Sequence, residues 1–91
     1  MPVEVRVTAV FQKLLGGAKV LPGQGGTVGQ LLDNLERDYP GFRGRITDEN
    51  GDIHQFVNIY LNDEDIRFLR QLDTPLKDGD VISILPALAG G

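Results

Sequence analysis

Thr27-Val28-Gly29-Gln30-Leu31-Leu32-Asp33-Asn34-Leu35-Glu36-Arg37-Asp38-Tyr39 is the stretch on which the fold turns. Val28, Leu31, Leu32, Leu35 and Tyr39 recur at helical spacing, so the stretch carries one apolar stripe to bury. Thr27, with Gln30 three residues on, reads as a capping box, and Pro40-Gly41 stops the helix. On either side the period drops to two. Upstream, Val3, Val5 and Val7 alternate with Glu4, Arg6 and Thr8, the pattern of a strand with one buried face. Gly16-Gly17 then turns the chain into a short run from Ala18 to Leu21, an N-terminal hairpin ended by Pro22-Gly23. Downstream, Asn50-Gly51 marks the tip of a hairpin or loop before a long apolar strand from about His54 to Leu61. Asn62 to Asp65 reads as a polar turn and Ile66 to Phe68 as a short strand. Asp78-Gly79-Asp80 turns into a last strand from Val81 to Leu85.

This order predicts an α+β fold: a mixed sheet of four to five strands with one main helix packed on one face, the β-grasp (ubiquitin-like) arrangement. Val57, Ile59 and Leu61, with Ile82 and Ile84, are expected to face the helix. Asn58, Tyr60, Ser83 and Leu85 then fall on the opposite face, where a partner could dock, although ordinary sheet exposure accounts for them equally well. We expect one domain over residues 1–86 and a flexible tail over 87–91 that ends in Gly-Gly.

Composition narrows the functions open to the chain. With 91 residues, 41% apolar and 24% charged, it fits a single core with little room for a deep private active site. Thirteen acidic against nine basic residues give a formal charge of -4, which argues against a phosphate-backbone binder, so no nucleic acid partner is expected. The absence of cysteine removes disulfides, a thiolate nucleophile, iron-sulfur clusters and Cys-type zinc sites. The N-terminal stretch alternates apolar and charged residues, unlike a signal peptide, and no run could span a membrane, so the expected location is cytoplasmic.

Four motifs resemble chemical sites and are better read as structure. Gly23-Gln24-Gly25-Gly26 precedes a helix as a phosphate loop would, but Val28 stands where a dinucleotide fingerprint needs its third glycine and no Lys-Ser/Thr pair follows. Asp48-Glu49-Asn50-Gly51-Asp52 resembles a calcium loop, yet its glycine comes too early and Ile59 occupies the position of the closing Glu. His54 and Ser83, each the sole residue of its kind, are thin grounds for a catalytic triad. Adjacent carboxylates in Asp63-Glu64-Asp65 fit a solvated turn better than a metal or acid-base cluster.

The tail Ala87-Leu88-Ala89-Gly90-Gly91 is more informative. At the background glycine frequency a Gly-Gly ending arises by chance in roughly one chain in two hundred. Glycine has no Cβ, so such a backbone passes through a channel too narrow for side chains and leaves the Gly91 carboxylate unhindered. Five residues at about 3.3 Å each reach roughly 16 Å from the domain, enough to enter a partner's active site.

Together with a last strand entered by Asp78-Gly79-Asp80, this tail resembles that of the MoaD/ThiS family of ubiquitin-like sulfur-carrier proteins, over nearly the whole chain. Phe56 through Phe68 and Ile84-Leu85-Pro86-Ala87 are most similar to its CysO branch, which serves cysteine biosynthesis. Small subunits of molybdopterin synthase tend to carry an aromatic residue and a Pro-Pro pair where this chain has Leu85-Pro86-Ala87. The resemblance implies a carrier with no cofactor of its own and no catalytic residue, not an enzyme. An ATP-dependent E1-like activating enzyme would adenylate Gly91, and a sulfur donor would convert the adenylate to a thiocarboxylate. In the CysO branch the acceptor is an aminoacrylate on a PLP-dependent cysteine synthase-like enzyme, and a zinc metalloprotease later frees the cysteine. Sulfur carriage for molybdopterin, thiazole or tRNA thiolation, and a ubiquitin-like modifier joined to lysines through Gly91, remain alternatives, as does a binding module with an incidental tail.

Overall fold

The computed structural model describes residues 2–87. At the centre of its sheet, β1 (Val3–Val7) and β5 (Val81–Pro86) run parallel. β2 (Val20–Gly23) flanks β1, β3 (Val57–Leu61) flanks β5, and β4 (Glu64–Asp65) closes the far edge, all antiparallel to their neighbours. This mixed five-stranded sheet is a β-grasp sheet, gripping α2 (Val28–Asp38) on one face.

Period-2 patterning produces that grip. Val5, Ile82, Ile84 and Ile59 are fully buried on one side of three adjacent strands, and α2 lays Val28, Leu31, Leu32 and Leu35 against them. Fully burying one such side chain contributes about 1.5–3 kcal/mol. Leu61, expected among these residues, is half-buried at the margin of the same core.

Both ends of α2 are tied by side chains. Thr27 Oγ1 accepts from the Gln30 N–H at 3.2 Å, while Gln30 Oε1 accepts from the Gly26 N–H at 2.8 Å, so the capping box is shifted by one residue. The glycine run serves packing here. A Cβ on Gly25 would stand 2.5 Å from the Leu31 nitrogen and 2.9 Å from the Gln30 carbonyl carbon, backbone atoms that no rotamer change can move aside. At the other end, Glu36 accepts from the Gly41 N–H at 2.9 Å and the Arg43 N–H at 2.8 Å. These bonds, then the Arg43 charge, hold its carboxyl below the usual carboxylate range.

A depressed folded-state pKa stabilises the fold above the unfolded value, and that contribution is lost as pH falls through the folded one. Glu36→Gln is therefore expected to melt below the wild type near pH 7, with the gap closing as pH is lowered through the carboxylate range. Thermal midpoints across that range check this, and a gap independent of pH would contradict it.

The structure corrects the sequence reading in several places. Ile66–Phe68 is a 3-10 turn, and the short strand lies just before it, at Glu64–Asp65, inside the segment read as a polar turn. The strand expected from His54 begins at Val57, because His54–Phe56 forms a turn closed by the Val57 N–H on the His54 carbonyl. The second strand starts at Val20, later than expected, and runs on through Pro22 and Gly23, the pair expected to end it, because these residues pair with Glu4 and Val3. Between β1 and β2 the chain also forms α1 (Ala9–Gln12) and a 3-10 turn at Lys13–Leu15, which bury Phe11 and Leu15. A third helix, α3 (Phe42–Ile46), buries Phe42 and Ile46 within the segment read as a loop.

Candidate docking face and tail root

The β3–β5 register sets Asn58 opposite Leu85 and Tyr60 opposite Ser83. All four half-buried side chains thus share the face that α2 leaves open. The Tyr60 row crosses the whole sheet, since Val20, Arg6, Ser83, Tyr60 and Asp65 are successive cross-strand partners. Arg6 is ion-paired with Glu4 on the same strand face. Asn58 and Leu85 form the next row, two residues nearer the end of β5.

Sequence reasoning missed Arg67, which organises one side of this face. Its Nη1 donates to Asn58 Oδ1 at 2.8 Å and its Nη2 to the Val57 carbonyl at 2.6 Å. Its own N–H donates to Asp65 Oδ1 at 2.9 Å. Asn58 is therefore held in a fixed orientation on the open face. No periodicity signals such a link, because Arg67 sits on an irregular turn.

Parallel pairing of β1 with β5, and antiparallel pairing of β3 with β5, gather three strand ends at the exit of the chain. There the Ala87 N–H donates to the Phe56 carbonyl at 2.7 Å. The Phe56 N–H in turn donates to His54 Nδ1 at 3.2 Å, and the two rings lie 5.2 Å apart. Ala87, the first residue of the expected tail, is thus anchored to a side-chain-braced turn. Leu88, Ala89, Gly90 and Gly91 lie outside the described residues.

The discounted motifs are occupied structurally. Asp48 Oδ1 accepts from the N–H groups of Asn50 and Asp52, and the Thr47–Ile53 bridge closes the loop, with Asn50-Gly51 at its tip. Asn62 and Asp63 adopt positive φ at the β3–β4 turn, and Asn62 Oδ1 accepts from the Val81 N–H at 2.9 Å. No hydrogen bond joins His54 to Ser83, and no group of acidic or histidine side chains among the described residues could hold a metal ion. No helix among them is long and apolar enough to cross a membrane.

A family model described as the ThiS family matches residues 5–91. The chain belongs to the ThiS family. Its ThiS-family relatives include the sulfur carrier protein CysO of Mycobacterium tuberculosis, 43% identical with both chains covered in full. Small archaeal modifier protein 3 of Haloferax volcanii is 34% identical, again with full coverage of both chains. Among solved structures, a chain of the Amycolatopsis orientalis BexX/CysO complex superposes with a TM-score of 0.90 at 39% identity, covering 98% of this chain and 99% of that one. The mixed five-stranded β-grasp sheet with one main helix on one face is the fold class that the sequence order predicts, although the strand expected at Ile66–Phe68 is a 3-10 turn and β4 lies at Glu64–Asp65.

Proposed function

We propose that this ThiS-family chain is a sulfur carrier of the CysO type, in which Ala87–Gly91 form the tail and the Gly91 carboxylate bears the sulfur. The observation that carries this reading is the full-length 43% identity to a sulfur carrier protein, in a chain whose sequence ends in Gly-Gly and whose last strand ends at Pro86. A carboxylate is a poor electrophile. In the proposed cycle the Gly91 carboxylate attacks the α-phosphorus of ATP on an E1-like enzyme, the bond to pyrophosphate breaks, and an acyl-adenylate results. Sulfide-level sulfur from a donor then adds at the carbonyl, AMP departs, and a thiocarboxylate remains. The catalytic groups belong to the partners, and the chain contributes a handle: the face bearing Asn58, Tyr60, Ser83 and Leu85 aligns the domain while the tail enters the cleft. This division of labour assigns the chain no catalysis of its own.

For the acceptor, the resemblance of Phe56 through Phe68 and of Ile84-Leu85-Pro86-Ala87 to the CysO branch implies a PLP-dependent cysteine synthase-like enzyme, followed by release through a zinc metalloprotease. A second reading, conjugation to lysines through Gly91, is favoured by the 34% identity to a small archaeal modifier protein. Carrier-dependent ATP–pyrophosphate exchange with the host's activating enzyme tests adenylation, which both readings require. Only the first adds a requirement for sulfur at Gly91.

A further inference from the structure

At the tail end of the sheet an open groove of about 450 Å³ lies between α1, α3 and the His54–Phe56 turn. Val10, Phe56 and Pro86 line it together with Lys13, Arg45 and His54. Among the described residues only five large apolar side chains are exposed, and two of them, Val10 at 64% and Phe56 at 49%, are here. The groove also inverts the sign of the molecule. The chain carries a net charge of -4, yet among the described residues no carboxylate lines this groove. Four of the six arginines, Arg6, Arg37, Arg43 and Arg67, are ion-paired, whereas among the described residues neither Arg45 nor Lys13 is.

Resting on the carrier reading, the geometry points to this groove as the seat of the activating enzyme's cleft mouth, specifically of a segment with an apolar side chain flanked by carboxylates. The four residues from Leu88 to Gly91 span at most about 14 Å. An enzyme that acts on Gly91 must therefore bring the rim of its cleft against the end of the domain where Ala87 emerges. Pro86 lines the groove, and Phe56, which lines it too, holds Ala87 through its carbonyl. Contact at the tail root thus places the rim on this surface. Exposed apolar area favours an apolar side chain there, and unpaired cations with no opposing carboxylate favour acidic flanks. The groove would add a second point of contact to the open sheet face and fix the angle at which the tail enters.

The test uses the full chain and the host's ATP-dependent activating enzyme. Lys13→Glu with Arg45→Glu changes two exposed side chains and leaves the core and the open sheet face untouched. Pyrophosphate exchange should show a KM raised about tenfold or more with kcat within about twofold, as expected for reversed rim charges. The dependence of KM on salt should also weaken. A photo-crosslinker at position 10 of the full chain should react with a segment of the enzyme that carries Asp or Glu beside an apolar residue. Normal exchange by the wild type with an unchanged KM in the double variant overturns the inference alone. Absence of exchange with the wild type removes the carrier reading and the inference with it. Crosslinks that run instead to residues 88–91 of the same chain, or to a second copy, assign the groove to those occupants and overturn it as well.

Discussion

A chain lacking Gly90 and Gly91 is expected to fold with an unchanged melting temperature and to lose at least about 100-fold of its carrier-dependent pyrophosphate exchange. Stability is spared because the buried cluster lies within residues 3–84 and the chain is tied down as far as Ala87 by the bond to Phe56. Activity is lost because the new carboxylate, on Ala89, would stop about 7 Å short of the position Gly91 would reach. Misplacement of a reacting group by even 1 Å costs on the order of 100-fold, since the advantage of bound geometry rests on near-contact distances. Activity near wild type in the truncated chain would favour the binding-module reading, in which the tail is incidental.

The second large effect concerns the open face of the sheet. Tyr60→Ala is expected to weaken the activating enzyme's hold on the carrier about 30-fold, equivalent to about 2 kcal/mol, the scale at which an aromatic anchor near the centre of an interface acts. Tyr60 lies between Ser83 and Asp65 in the row that crosses all five strands, and its core-facing neighbours Ile59 and Leu61 are unaltered by the change. Arg37→Ala serves as the control, because Arg37 is exposed on α2, on the other side of the molecule, and should bind normally. Affinity by titration and folding by thermal melts separate the two effects. Equal losses in both variants, or none in Tyr60→Ala, would remove the open face from the docking account.

The parts of this fold legible in the sequence are those with a sustained period. Val3, Val5 and Val7, the α2 stripe, and Ile82 with Ile84 each repeat often enough to specify both an element and its buried face. The open-face residues followed from the same alternation, since Asn58 and Tyr60 must point away from Val57 and Ile59. Short elements escaped. In α1 and α3 a single apolar side chain or pair is buried, Phe11 in one and Phe42 with Ile46 in the other, which is too little repetition to separate a helix turn from a loop. Glu64–Asp65 pairs as a strand although its residues read as a turn, because backbone pairing with Tyr60 and Leu61 overrides propensity. The groove at the tail root was illegible for a different reason. Lys13, Arg45 and Phe56 are far apart in sequence, and only the topology of β1, β3 and β5 brings their segments to one end of the sheet. The tail itself was the easiest feature to notice, because its signal is chemical and depends on no packing.

The most direct test of the central claim is the intact mass of the protein purified from its own host, alongside a Gly91-deleted control. The account predicts a species heavier by the exchange of one oxygen for sulfur, absent from the control and formed again when the purified chain is incubated with host extract, ATP and a sulfur donor. A chain that shows only the plain carboxylate under all of these conditions would contradict sulfur carriage and leave conjugation through Gly91 as the stronger reading.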